Sequence, residues 1–293
     1  MLLEAQARGW PLWYMQQKDL MLENDQVFAF AQPISVTDPK EDKTQIWYQL
    51  GEVKKIKLSD LDVILMRKDP PFDMKYIYTT YLLELSKTLI INNPQALRDA
   101  NEKLFTAWFP KCCTPTLVAS QTEQFFDFIA KHEDIIVKPL DGMGGASIFR
   151  IKKNDPNTNV ILETLTENNS NFCMAQKFIP EISSGDKRIL IIDGKSVPFA
   201  LARIPQSGEN RGNLAAGGKG VGIPLTKRDL WICEQVGPEL KRRGIMFAGI
   251  DVIGDYLTEI NITSPTCIRE LDSIYQLNIS GLLMDAIEEK LAV

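Results

Sequence analysis

The sequence predicts a mixed fold, an α/β unit over residues 1–97 followed by an α+β region over residues 98–293, and three observations carry this reading. Residues 1–97 alternate short apolar strands with amphipathic helices, the pattern of a parallel sheet covered by helices. The later region contains strand pairs joined through glycines, which read as hairpins. At 293 residues the chain also exceeds the size that one hydrophobic core serves well, so two or three packed units are expected.

MLLEAQARGW sets apolar residues at helical spacing from the first residue, and PLWYM follows as a strand. Units of this class usually begin with a buried strand that feeds the first helix, so a first strand upstream of residue 1 is expected and is lacking here. VFAFAQPISV and DVILMRK are the next strands; the turn DPPFD leads into the amphipathic helix MKYIYTTYLLELSK, and TLIINN is a short closing strand. Asn93-Pro94 starts a helical run that carries Lys103. A first lobe, 98–175, then holds the TPTLVAS strand, the QTEQFFDFIAKH helix, the DIIVKPL strand and a glycine hairpin, with MAQKFIP crossing into a second lobe, 176–293. The second lobe has KRILIIDGKSVPFALARI, a glycine-rich stretch, a helix from Thr226 to Arg243, MFAGIDVIGDYLTEIN and a last helix from Asn278.

Composition excludes several classes. A formal net charge of −5 does not suit a general nucleic-acid binder, whose phosphate-tracking surface needs a cationic excess. The five cysteines include no CxxC pair, so reduced and mostly buried thiols in a soluble cytoplasmic protein are expected. No apolar run approaches a membrane span, and the first residues lack the sections of a signal peptide. His132 is the only histidine and falls at a helix end, where a cation is favourable, so Ser–His and zinc-hydrolase chemistry have little to rest on.

KPLDGMGGASIFRI sets Lys138 at the end of an apolar strand and packs Gly142, Gly144 and Gly145 into one turn before the next strand. A Walker A loop would put its lysine after the glycines and before a helix, and a dinucleotide fingerprint would need a third glycine where Ser147 stands. What remains is a strand–glycine loop–strand hairpin, either an ordinary turn or a cover for a phosphate chain, whose oxygens backbone N–H groups without Cβ neighbours can approach.

DVIGDYLTEIN carries a second cluster. Glu259 and Asn261 are two apart on one strand and share a face. A connection of three residues, Gly254 to Tyr256, would set Asp251 across from Glu259, whereas a two-residue turn would put it on the opposite face; the three-residue loop is the expectation. Two carboxylates and an amide without histidine or thiol suit Mg²⁺, which keeps waters and shares its shell with substrate phosphates. The same residues would otherwise be ordinary acids on a solvated hairpin.

Lys103, Lys138, Arg188, Arg203 and Arg211 are the cations that could answer this cluster, and Lys138 and Arg203 stand at element ends, where loops build sites. The stretch from 204 to 224 has six glycines and few core-forming residues, which favours a lid that closes to exclude water.

Together these segments resemble the ATP-grasp superfamily and, within it, the bacterial glutathione synthetase family, across essentially the whole chain. DVILMRKDPPFD, LRDANEKLFTAWF, KPLDGMGGASIFR, RGNLAAGG and LTEINITSPTCIRE carry the resemblance. It implies an N-terminal pre-ATP-grasp domain followed by a two-lobed ATP-grasp domain, with adenine and ribose bound by Gln176, Lys177, Phe178 and Asp186. It also implies phosphate contacts from Lys103, Lys138, Gly142, Gly144, Gly145, Arg188 and Asn261, and Mg²⁺ (or Mn²⁺) on Asp251, Glu259 and Asn261. Arg203, Arg211 and Lys138 would be catalytic, and Arg203, Ser264 and Thr266 would meet the peptide substrate. The implied reaction is ATP-dependent ligation of γ-glutamylcysteine to glycine through an acyl phosphate, in a homo-oligomer, a tetramer by the resemblance. Another ATP-grasp carboxylate–amine ligase and an inactive nucleotide-binding paralogue are the alternatives.

Overall fold

The computed structural model describes residues 1–38, 46–142, 145–206 and 217–292. The N-terminal part runs through α1 (Leu2–Ala7), β1 (Trp13–Tyr14), β2 (Leu20–Glu23), β3 (Gln26–Val36), β4 (Tyr48–Leu50), β5 (Lys54–Lys57), β6 (Val63–Leu65), α2 (Met74–Leu85), β7 (Leu89–Ile91) and α3 (Pro94–Asp99). The parallel sheet expected here is only two strands wide, β6 with β7. The larger sheet is antiparallel, with the long β3 pairing β1, β2, β4 and β5. The connections explain the difference. β2 and β3 are joined by Asn24-Asp25 alone, with Asn24 at φ 57, which closes a hairpin. β6 and β7 are separated by α2, the kind of crossover that parallel pairing needs. Asp73 caps α2 by accepting from the Tyr76 N–H at 2.9 Å.

The first lobe follows with β8 (Thr116–Ala119), α4 (Thr122–His132), β9 (Asp134–Pro139), β10 (Phe149–Lys152), α5 (Thr158–Leu165) and β11 (Cys173–Lys177). Its antiparallel sheet has the order β10-β9-β11-β8. Phe125 and Ile129 of α4 and Leu162 of α5 pack on Ile135, Val137 and Ile151 of that sheet. β9 and β10 form the expected strand–loop–strand hairpin.

The second lobe has β12 (Asp186–Ile192), β13 (Lys195–Ile204), β14 (Lys219–Pro224), α6 (Lys227–Arg242), β15 (Phe247–Ile253), β16 (Tyr256–Asn261), α7 (Ile268–Tyr275) and α8 (Ile279–Leu291). Its sheet order is β14-β13-β12-β15-β16, antiparallel throughout. One face, with Ile189, Ile191, Ala200, Ile250 and Val252, packs against Ile232, Val236 and Leu240 of α6. On the other face Leu190, Ile192 and Leu201 are covered by Leu271 of α7 and Leu283 and Ile287 of α8. The strand ends beyond that apolar cover carry charged side chains, so the core holds the sheet rigid up to the edge of the site.

Asn92 ties the N-terminal part to this lobe. Its amide donates to the carbonyls of Phe247 (2.7 Å) and Ile262 (2.8 Å) and accepts from the Phe247 N–H (2.8 Å), all buried. Among the described residues no helix is long and apolar enough to cross a membrane, and the five cysteines are free.

Candidate active site

Strand register in the second lobe decides which charges meet. Asp186 of β12 lies across from Arg203 of β13, Arg188 of β12 across from Asp251 of β15, and Asp251 across from Glu259 of β16. Directly opposed residues share a sheet face, so five ionisable side chains form one polar patch. Arg188 holds Asp251 in a forked pair, Nε to Oδ1 at 2.5 Å and Nη2 to Oδ2 at 3.0 Å. Arg203 bridges two acids, with Nη2 at 2.5 Å from Asp186 Oδ2 and 2.9 Å from Asp251 Oδ2.

The three-residue loop expected between β15 and β16 is not what forms. Ile253 pairs with Tyr256, so Gly254-Asp255 is a two-residue turn, which alone would have put Asp251 and Glu259 on opposite faces. A β-bulge at Thr258 restores the pairing. Leu257 and Ile260, three apart, both enter the core because of it, and that break in the period of two was the available sequence signal. The bulge also points the Thr258 carbonyl at Lys138, whose Nζ donates to it at 3.2 Å.

This patch faces the first lobe across a cleft of about 1190 Å³. Ile136 and Lys138 of β9, Gln176 and Lys177 of β11, Phe178, and Gly142, Gly145, Ala146 and Ile148 of the hairpin loop line its first-lobe side. Asp186, Arg188, Asp251, Glu259 and Asn261 line the second-lobe side. Ile136, Ile148, Phe178, Ile179, Ile182 and Ile253 give the cleft an apolar section, suited to a flat ring system, next to the cationic one. Lys103 reaches the hairpin loop, donating to the Gly142 carbonyl at 2.8 Å.

Burial sets the electrostatics. Lys138 is buried and its ammonium pKa is pushed down by desolvation, with Glu259 opposing and Lys103 adding to the shift. Burial raises Asp186 to about 6, against the pull of Arg203. Burial likewise works against the Asp251 charge, but Arg188 and Arg203 outweigh it and draw that carboxyl down to about 2. Asp251 therefore stays ionised wherever the protein is folded near neutrality.

The oxygen donors fit a hard cation. Glu259 has no hydrogen-bond or ion-pair partner among the described residues and lines the cleft. The Asn261 amide directs its Nδ2 to Gly249 O and Asp251 Oδ2, both at 3.2 Å, which leaves Oδ1 as a donor atom. Two carboxylates and an amide oxygen are the ligand chemistry of Mg²⁺ or Mn²⁺. Among the described residues there is no cluster of three His, Cys, Asp or Glu, so any ion here would complete its shell with the Asn261 oxygen, waters or phosphate.

The residues named from the sequence do not all converge. Lys103, Lys138, Gly142, Gly145, Gln176, Lys177, Phe178, Asp186, Arg188, Asp251, Glu259 and Asn261 line the cleft. Arg203 sits behind it, bound to Asp186 and Asp251. Ser264 and Thr266 lie outside, on the loop after β16, where Ser264 Oγ bonds to the Asp69 carboxylate and so faces the N-terminal part. Gly144 and Arg211 lie outside the described residues. So do residues 207–216 of the expected lid; its C-terminal portion is not loop but strand β14, paired to β13. Glu102, which the sequence reading passed over, also lines the cleft. It accepts from Thr263 Oγ1 (2.9 Å) and from the Ile262 and Thr263 N–H groups (3.1 and 3.3 Å), and burial raises its pKa, with the Glu259 charge adding to the shift. Its position next to Lys103 was the only hint.

Comparisons with known proteins agree with this geometry. Residues 1–98 match the family model for the N-terminal domain of prokaryotic glutathione synthetase, and residues 102–276 match that for its ATP-grasp domain. The chain is similar to a glutathione synthetase of Pseudomonas putida, 57% identical over 295 residues that cover 99% of this chain and 92% of the relative. One from Vibrio vulnificus is 57% identical over 294 residues, covering 99% and 91%. Among solved structures, D-cycloserine synthetase matches with a TM-score of 0.62 at 15% identity, over 86% of this chain and 87% of that one. D-alanyl-alanine synthetase A of Vibrio cholerae matches at 0.58 and 12%, over 97% and 84%. At those identities the structural likeness concerns the fold.

Proposed function

The chain belongs to the prokaryotic glutathione synthetase family, and from that premise we propose how its residues share the work of an ATP-dependent ligase. The reaction joins γ-glutamylcysteine to glycine. The cysteinyl carboxylate attacks the γ-phosphorus of ATP, ADP leaves, and the resulting acyl phosphate is attacked by the glycine amine, which releases phosphate, gives up a proton and forms the peptide bond. No protein nucleophile is needed, in keeping with phosphoryl transfer as a matter of positioning and charge neutralisation.

The carrying observation is the Asp251–Glu259 pair facing Lys138 across the cleft beneath the hairpin loop. In the proposal the apolar section with Gln176, Lys177 and Phe178 takes the adenine, and Asp186 the ribose. Lys103, Lys138, Arg188 and the loop glycines Gly142, Gly144 and Gly145 hold the phosphates. Asp251, Glu259 and Asn261 bind Mg²⁺, which Mn²⁺ could replace, and the ion would neutralise charge on the transferring phosphoryl group. Arg211 orients the reacting carboxylate, Arg203 acts from behind the cleft by holding Asp186 and Asp251, and Ser264 and Thr266, on the loop that faces the N-terminal part, meet the peptide. The expected division at 97/98, and one after β11 rather than at 175/176, which would cut that strand, separate these tasks into substrate domain, hairpin lobe and metal lobe. The free cysteines support a reducing, cytoplasmic setting. Met74, Tyr78, Tyr81 and Leu85, exposed along one side of α2, support a homo-oligomer, and a tetramer is the form we propose.

The test is product analysis with ATP, Mg²⁺, γ-glutamylcysteine and glycine, set against D-alanine as both acid and amine. Glutathione formed only in the first mixture supports the reading. Dipeptide formed in the second, without glutathione in the first, would assign the site to another carboxylate–amine ligase.

A further inference from the structure

The hairpin that presents Asp251 and Glu259 is gripped from the face opposite the cleft. Lys187 and Arg188 are neighbours on β12 and point to opposite faces of the sheet. Arg188 holds Asp251 on the cleft side. On the other side the Lys187 ammonium donates to the carbonyl of Gly254, the first residue of the hairpin turn, at 2.9 Å, and is paired with Asp229. Asp229 is fully buried in the first turn of α6, where its other oxygen accepts from Thr226 N (2.9 Å) and Thr226 Oγ1 (2.8 Å) in a capping box. The next carbonyl of the turn, Asp255 O, accepts from Arg228 Nε at 3.0 Å, and Arg228 is fixed in turn by the Lys111 carbonyl at 2.9 Å. Both carbonyls of the two-residue turn are thus tied to the start of α6.

This attachment has a geometric consequence. The extra residue between the turn and Glu259 can sit in a bulge at Thr258 or in a longer, three-residue loop. Hydrogen bonds to Gly254 O and Asp255 O select the tight turn and so put the extra residue at Thr258, where its carbonyl meets Lys138 and its Oγ1 donates to Asp251 O at 3.1 Å. We infer that Lys187, together with Asp229 and Arg228, is a positioning group for the metal-binding hairpin, holding Glu259 and Asp251 at the spacing the ion requires. The inference rests on the proposed metal role of those two acids. α6 also begins three residues after β14, the strand that closes the glycine-rich stretch, so the same cap joins the hairpin to that segment.

The experiment compares the wild type with two variants, Arg228→Ala and the doubly neutral Lys187→Met with Asp229→Asn, which leaves no unpaired buried charge. Mn²⁺ binding is measured by calorimetry in the presence of a non-hydrolysable ATP analogue, alongside analogue binding without metal and hydrogen exchange of the amides of residues 257–261. Loss of an outer support of this kind predicts Mn²⁺ affinity about 10-fold weaker and faster exchange in the double variant, a smaller change in Arg228→Ala, and metal-free analogue binding unchanged. Mn²⁺ affinity within about twofold of wild type in both variants would overturn the inference, as would an equal loss of metal-free analogue binding, which marks a merely structural role. A wild type that binds no Mn²⁺ would remove the metal reading, and this inference with it.

Discussion

Two side chains in the cleft lend themselves to direct tests. Glu259 is the one acid of the patch without a hydrogen-bond or ion-pair partner among the described residues, so Glu259→Gln removes a charge without breaking a bond in the fold. We expect turnover to fall by about 100-fold or more, beyond the usual cost of an outer-shell change, with an unaltered melting temperature. Near-normal turnover would refute its ligand role. Asp186 tests the electrostatics. Its folded pKa near 6 lies above the ordinary 3.8, so between those values the folded chain holds a proton that the unfolded chain has lost. Stability from this group is present below 3.8 and is lost as pH rises through 6. Denaturant titrations of Asp186→Asn should therefore show a flatter stability profile than wild type across that window, and an identical profile would contradict the assignment. Asp251 has the opposite sign, its contribution being lost as pH falls from 3.8 toward 2.

At the scale of elements, the β12–β15–β16 ladder does most of the positioning, and it depends on one small residue. A Cβ on Gly249 would stand 2.8 Å from Arg188 Cδ and 3.0 Å from Pro265 Cβ, so the glycine makes room for the Arg188 stem beside Asp251. Gly249→Ala should cost about 1–3 kcal/mol by overpacking. It should cost activity more, about 10-fold, through displacement of the Asp251 fork, with the metal requirement raised. Activity that tracks stability alone would argue against this link. Much at this scale is legible in the sequence. The DIIVKPL–SIFRI hairpin, the Thr226 start of α6 and the Asn278 start of α8 all follow from local chemistry, glycine turns and capping side chains. The bulge at Thr258 shows in the sequence only through the Leu257/Ile260 spacing, because a pairing register depends on partners elsewhere in the chain. The antiparallel sheet around β3 was missed for a similar reason: an apolar strand run does not state the direction of its neighbour. Glu102 was overlooked because its function comes from a loop 160 residues further on that its carboxylate caps.

For the whole molecule, the cleft needs three parts held in one arrangement. Asn92 is a principal tie between the N-terminal part and the metal lobe. Asn92→Ala would strand the buried N–H and two carbonyls it now satisfies and should lower stability by about 2–4 kcal/mol. The Michaelis constant for γ-glutamylcysteine should rise more than that for ATP, since the ATP cleft lies within residues 102–261 alone; an equal rise in both would contradict the proposed division of tasks. The central claim, a ligase that works through an acyl phosphate without a protein nucleophile, is tested most directly by isotope transfer. γ-Glutamylcysteine labelled with ¹⁸O in its cysteinyl carboxylate is turned over with ATP, Mg²⁺ and glycine, and the released phosphate is analysed by mass. The account predicts one ¹⁸O in each phosphate that accompanies a glutathione formed; glutathione formed with unlabelled phosphate would contradict it.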